Sequence, residues 1–328
     1  MTDLDLKEYI NTCIHLGSYH ELIQGSGGNF SVKNDDYIII KSSGRVLAET
    51  TQHSGYVKCS IKMLKECMHD SSLPIESAVC GGDKGKPSME VFFHLLPHKW
   101  VIHVHPIAFL VHLCKKSWTS LQSSYQCSYI PYHIPGTDLG LYILENYKGE
   151  QVLFLKNHGV IVCGSSRDEV YMILDDLYTV NKLSKLNNEF TESYKLKEYI
   201  ESYAAQESIV LKPCRSRQPF YSRLFLPITP DISLFLKHSP MVQEHASECA
   251  KKLFDSYFTM FKTIPSVIKL MNTVYVCGKS YHQCVMIEEI LDSYLEIIEH
   301  GSDLDFFDDK TLKNISSSES EIYRMSLK

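Results

Sequence analysis

The chain has 328 residues, 44% of them hydrophobic and 22% charged, and its 33 basic and 39 acidic side chains leave a net charge of −6. This is the profile of a globular protein large enough to bury its own core, and the lack of a basic stripe excludes a nucleic-acid partner. Eleven cysteines, an odd number with no C-x-x-C pair and several inside apolar runs (Cys13, Cys114, Cys163), argue for reduced thiols and a cytoplasmic setting. The acidic opening MTDLDLKEYI is unlike a secretory signal, and the longest apolar stretches are too short to span a bilayer, so no membrane partner is expected.

Taken in chain order, Leu6, Tyr9, Ile10, Cys13 and Ile14 share one face of a predicted helix that closes at Gly17. A glycine-rich turn at 24–31 leads into the strand-like Tyr37–Lys41 and a second turn, Ser42-Ser43-Gly44. Pro87 and Ser88 are expected to open a helix burying Val91, Phe92, Leu95 and Leu96. Residues 100–105 read as a strand closed by Pro106, and two short strands, 152–156 and 160–163, flank Asn157-His158-Gly159. Ser166 and Glu169 form a capping box for a helix carrying Val170, Ile173, Leu174, Leu177 and Val180. The polar stretch 187–208 is the expected linker. Beyond it come the apolar 224–226, a strand at 273–277 ending in Gly278, and a second capping box, Ser280 to Gln283. That box opens a helix through Ile287, Ile290, Leu291, Tyr294 and Ile297. Strand, glycine and capped helix make a βα unit, so a small α/β domain is expected there.

The chemistry concentrates in the first half. Strand residues two apart point the same way, so His103 and His105 face one space. His158 sits in a tight turn between strands, where it is aimed with little freedom. Three neutral imidazoles with a position left open are a catalytic zinc arrangement. An H-x-H pair alone is more often structural; the third histidine and the polar loops of the same half favour ligation. Glu90 reads either as a fourth ligand and proton carrier or as an acid complementing a helix dipole. His94, four residues on, reads as a supporting or core histidine. The glycine-rich turn and Ser42-Ser43-Gly44 offer N–H groups and hydroxyls that suit a phosphate, though such turns also precede ordinary strands. Neither the Walker pattern nor a dinucleotide fingerprint is present.

Several motifs carry a resemblance in their order: Gly27-Gly-Asn-Phe-Ser31, Ser42-Ser-Gly44, Pro87-Ser-Met-Glu90, His103-Val-His105-Pro106, Pro131-Tyr132, Gly136-Thr137 and Asn157-His-Gly159. The chain resembles class II aldolases of the fuculose- and rhamnulose-phosphate type, in the aldolase/adducin superfamily, over roughly residues 5–185. The flanking stretches 24–29 and 40–44 look closer to a larger rhamnulose-phosphate aldolase-like branch with extra C-terminal sequence. Glu321-Ile-Tyr-Arg324 and the 224–226 stretch are weaker signs of that branch.

The resemblance implies an α/β three-layer domain with a central, mostly antiparallel sheet over 1–190, and a smaller accessory α/β domain over 191–328. It implies Zn2+, or another divalent metal, held by His103, His105 and His158. Glu90 would be a ligand in the empty site and a base in the loaded one. Tyr132 would be a proton donor lent to a neighbouring subunit in a homo-oligomer, often a tetramer. Gly28, Asn29, Ser43, Gly44 and Ser88 would cradle the phosphate. Met89 stands where smaller members have a second serine, which removes one hydroxyl from that cradle.

The implied activity belongs to carbohydrate metabolism: cleavage of a phosphorylated ketose to dihydroxyacetone phosphate and an aldehyde. Epimerisation, dehydration or decarboxylation on the same scaffold is the alternative, and a non-catalytic adducin-like module is a further one. Glu90 stands against the pentose-phosphate epimerases that resemble this family, because they carry aspartate there.

Overall fold

The computed structural model describes residues 3–70, 72–81, 85–118, 121–181, 210–214, 226–236, 238–243, 250–270 and 273–317. The larger unit is built on seven strands: β1 (Asn29–Lys33), β2 (Tyr37–Lys41), β3 (Tyr56–Ser60), β4 (Trp100–Val104), β5 (Cys127–Ile130), β6 (Val152–Leu155) and β7 (Gly159–Gly164). Their order is β3-β2-β1-β4-β7-β6-β5, antiparallel throughout except for the parallel pair β5–β6. β4 therefore lies at the middle of the sheet. Its five residues are buried on both faces, which is why its sequence is apolar wherever it is not histidine.

Helices α1 (Asp3–Gly17), α2 (Ile61–His69), α3 (Ile107–Leu113), α4 (Thr137–Asn146) and α5 (Arg167–Asn181) cover the two faces. The period of two along each strand divides the core. Phe30, Val32, Trp100, Ile102, Phe154 and Val162 turn towards α1, α3 and α5. Val101, Leu153, Ile161 and Cys163 pack with Leu139 and Ile143 of α4, while Ile38, Ile40, Val57 and Cys59 pack with Leu64 and Cys67 of α2. The result is the expected helix–sheet–helix architecture with a mostly antiparallel sheet.

Two local expectations differ in detail. On α1 the buried stripe is Tyr9, Ile10, Cys13 and Leu16, and Ile14 is 42% exposed. The helix expected from Pro87 is a 3-10 turn over Val91–Leu95. Pro87 instead bridges Ser42, and the Ser88 N–H donates to the Lys41 carbonyl at 2.9 Å, so the chain is still extended at those residues. Pairing with the neighbouring turn outweighs the local helix-start signal there.

The smaller unit has a four-stranded sheet of β8 (Val210–Pro213), β9 (Met241–Gln243), β10 (Val267–Leu270) and β11 (Thr273–Gly278), in the order β8-β11-β10-β9. Helices α6 (Pro230–Phe235), α7 (Ala250–Phe261) and α8 (Tyr281–His300) accompany it. The Ser280 hydroxyl accepts from the Gln283 N–H at 3.2 Å, while the Gln283 side chain reaches back to the Lys279 N–H at 2.6 Å. This cap lets α8 bury Ile287, Ile290, Leu291, Tyr294 and Ile297. The expected linker at 187–208, Leu224, Phe225 and the stretch 321–324 lie outside the described residues.

The chain divides into Met1–Leu183 with Gly301–Leu327, and Ser184–His300 with Lys328. The accessory domain is expected over 191–328; the described residues 301–317 group with the first unit. Their backbone explains this: Leu304 bridges Lys115, and the Asp305 N–H donates to the Cys114 carbonyl at 2.7 Å. Among the described residues no helix is long and apolar enough to cross a membrane, and the described cysteines form no disulfide bond.

Candidate metal centre

Two backbone devices bring three histidines together. β4 presents His103, and His105 follows one step past its end, where its N–H donates to the Leu22 carbonyl at 2.9 Å. β6 and β7 are joined by the three-residue loop Lys156-Asn157-His158, with Leu155 paired to Gly159. Asn157 takes a left-handed φ of 53°, a conformation that asparagine tolerates better than most residues. Its side-chain amide donates to the Asp305 carbonyl at 2.8 Å. Glycine at 159 is needed because a Cβ there would lie 2.4 Å from the Val104 carbonyl and 2.8 Å from the His105 ring. The loop can thus press against β4 and deliver His158.

The imidazole centroids are 4.7 Å apart for His103–His105, 4.8 Å for His103–His158 and 5.1 Å for His105–His158. One ligand-capable atom from each lies within 4.8 Å of the others, and all three residues are buried. His103 Nδ1 is 3.0 Å from the Val160 carbonyl, which can only accept, so Nδ1 carries the proton and Nε2 keeps its lone pair. That Nε2 lies 2.9 Å from His105 Nε2.

Glu90 completes the cluster. Its Oε1 is 3.2 Å from His158 Nε2, and its Oε2 is 3.6 Å from His103 Nε2. Burial pushes the Glu90 carboxyl up, but the pull of His103 and His158 outweighs it and holds the group well below the usual carboxylate range. Burial is also the main cause that holds His103 well below the usual imidazole value. Both directions favour a carboxylate at Glu90 beside a neutral imidazole at His103, which are the forms a cation binds.

Of the residues expected to cradle a phosphate, Gly28 backs directly on the cluster: a Cβ there would sit 2.8 Å from the His103 carbonyl, and its φ is +59°. Ser43 and Ser88 belong to neighbouring segments, since the Ser43 N–H donates to the Lys86 carbonyl at 2.8 Å and the Ser88 hydroxyl accepts from the Glu90 N–H at 3.4 Å. Gly44 turns the chain beside them with a φ of 71°.

Sequence reading overlooked Lys41, which joins these pieces. Its buried ammonium donates to the carbonyls of Ser26, Gly27 and Gly28, all within 3.1 Å. Its own carbonyl accepts from Ser88. A lone lysine ending the apolar run Tyr37–Lys41 was the available signal. Replacing Lys41 by methionine deprives three carbonyls of a donor. It is expected to lower the unfolding free energy by about 3 kcal/mol, at roughly 1 kcal/mol per orphaned group, as read by urea denaturation. An unchanged midpoint would contradict this assignment.

Tyr132 follows β5 and packs its ring on Phe307, centroids 4.6 Å apart, within the same chain. The Asn29 side chain lies between Glu90 and His94, donating to Glu90 Oε2 at 2.7 Å. His94 is wholly buried; burial chiefly, with Lys33 nearby, holds it neutral with a pKa of about 3.

A divalent cation fits this donor set. Three imidazoles and a carboxylate converge, and a ligand histidine is oriented by a backbone carbonyl. Glu90 Oε1 is buried and, apart from its approach to His158, has no hydrogen-bond partner among the described residues.

Fold and site together define a three-layer α/β protein organised around a buried imidazole–carboxylate cluster. The chain belongs to the family of the Class II Aldolase and Adducin N-terminal domain, which matches residues 7–183. It is 31% identical over 196 residues to an L-fuculose phosphate aldolase of Methanococcus vannielii, covering 56% of this chain and 97% of that protein. It is 28% identical to one from Methanocaldococcus jannaschii, with the same coverage. Among solved structures it is similar to the N-terminal class II aldolase domain of a conserved protein from Thermoplasma acidophilum. The TM-score there is 0.47 at 22% identity, covering 55% of this chain and 94% of that one.

Proposed function

We propose that the chain is a divalent-metal-dependent aldehyde-lyase that cleaves a phosphorylated ketose to dihydroxyacetone phosphate and an aldehyde. The observation that carries this reading is the convergence of His103, His105 and His158 on the Glu90 carboxylate. Family membership and the kinship to fuculose phosphate aldolases support it. Zinc is the proposed metal, because neutral imidazoles and a carboxylate suit it. When bound, it supplies positive charge that stabilises negative charge developing on substrate oxygens.

The chain's own groups do the rest. The C3–C4 bond breaks with its electron pair passing to the C3 fragment. The C4 hydroxyl loses its proton as it becomes the aldehyde, and C3 gains one. Glu90 holds the proton exchanged at C3, and Tyr132 the proton at the aldehyde oxygen. Gly28, Asn29, Ser43, Gly44 and Ser88 bind the phosphorylated end, the turns doing so through backbone N–H groups. A homo-oligomer in which Tyr132 serves a neighbouring site accompanies this reading, and light scattering of the purified protein tests it.

Zinc-loaded protein is expected to release dihydroxyacetone phosphate from at least one member of a panel of ketose 1-phosphates, followed by a coupled assay and NMR of the products. Release of none across the panel would overturn the aldolase reading.

A further inference from the structure

We propose that Ser31, His94 and Asn29 form a directional positioning chain that sets which oxygen of Glu90 faces His158. The proposal rests on the metal-centre reading above and deepens it.

Four residues are linked end to end. Asn29 Nδ2 is 2.7 Å from Glu90 Oε2, Asn29 Oδ1 is 2.5 Å from His94 Nε2, and His94 Nδ1 is 2.7 Å from Ser31 Oγ. All four residues are buried. With Glu90 as a carboxylate, donor and acceptor chemistry along these links sets one direction. An ionised carboxylate has no hydrogen to give, so Asn29 must turn its NH2 towards Glu90. Its carbonyl oxygen then faces His94, which obliges His94 Nε2 to carry the ring proton. His94 Nδ1 is left bare and accepts from the Ser31 hydroxyl. Reversing any link would set two acceptors or two donors against each other in a dry interior.

The chain is anchored at the backbone. Asn29 and Ser31 stand two apart on β1, hence on one face of the sheet, and Asn29 is the cross-strand partner of His103. The His94 ring stacks on Phe93, centroids 4.7 Å apart at 26°, and the His94 carbonyl accepts from Lys33 Nζ at 2.7 Å. With Oε2 of Glu90 engaged by Asn29, Oε1 is the oxygen presented to His158. His94 is therefore a positioning residue, acting on the cluster through Asn29.

The test separates direction from bulk. Glutamine at 94 can place a donor where Nε2 stands, whereas asparagine reaches only the Nδ1 end. Zinc affinity is measured by competition with a chromophoric chelator, and the visible spectrum of the cobalt-substituted full-length protein reports ligand geometry. His94→Asn is expected to weaken zinc binding by about 10- to 100-fold and to alter the cobalt spectrum. His94→Gln is expected to stay within about threefold of the unsubstituted protein. Equal weakening by both variants would reduce His94 to a space-filling ring and overturn the proposal, as would wild-type affinity in both. Should His94→Asn fail to fold, Ser31→Ala carries the test, with a loss of about fivefold expected and no change overturning it. Unsubstituted protein that takes up no metal would instead sink the metal-centre reading itself.

Discussion

Replacing His103 with alanine is expected to strip the protein of its metal and to lower turnover by about a thousandfold or more. His103 is in contact with every other member of the cluster: its Nε2 faces His105 Nε2 and Glu90 Oε2, and its ring lies against His158. Its tautomer is held by the Val160 carbonyl, so the lone pair is aimed before any ion arrives. Losing it removes one of three imidazoles and leaves the Glu90 carboxylate with less compensation in a buried place. Several kcal/mol of charge stabilisation correspond to about three decades in rate. Elemental analysis and a cleavage assay on the same folded preparation provide the check. Stoichiometric metal with undiminished turnover in His103→Ala would remove this residue from the centre.

Glu90→Gln is the second large effect, and it separates binding from proton transfer. Glutamine preserves shape and can still accept from Asn29, but it has no negative charge to offer a cation and no proton to exchange. Turnover is expected to fall by about 10²- to 10⁴-fold, the range typical of a lost acid–base group, while KM changes much less. Metal affinity is expected to weaken by about 10- to 100-fold, so the assay is run at saturating metal. Turnover within threefold of the unsubstituted protein would leave Glu90 as a helper of the cluster and send the search for the proton carrier elsewhere.

The parts of this protein that were legible in its residues are those governed by local spacing. The alternation at 100–105 foretold β4 and the shared direction of His103 and His105. Capping signals foretold α5 and α8, where the Ser166 and Ser280 hydroxyls accept from Glu169 and Gln283. The Asn157-His158-Gly159 triplet announced a tight turn, because few residues besides asparagine accept the conformation found there. What was misread or missed depends on partners far away in sequence. Pro87 and Ser88 read as a helix start until the turn at 42 pairs with them. Lys41 read as the end of a strand, and its purpose emerges only when the carbonyls of 26–28 fold over its ammonium.

The sequence by itself determined the ingredients: an apolar fraction large enough for a core, two differently textured halves, three histidines and one glutamate in a family order. Tertiary structure alone decided that Glu90 reaches His158 across 68 positions and that Asn29 and His94, 65 apart, meet between them. It also decided that residues 301–317 group with the first unit. The physical reason is the range of the forces involved. Periodicity and capping act within a few residues and are written in adjacent letters. The pairing of buried donors with buried acceptors is satisfied only once the sheet has brought distant strands side by side.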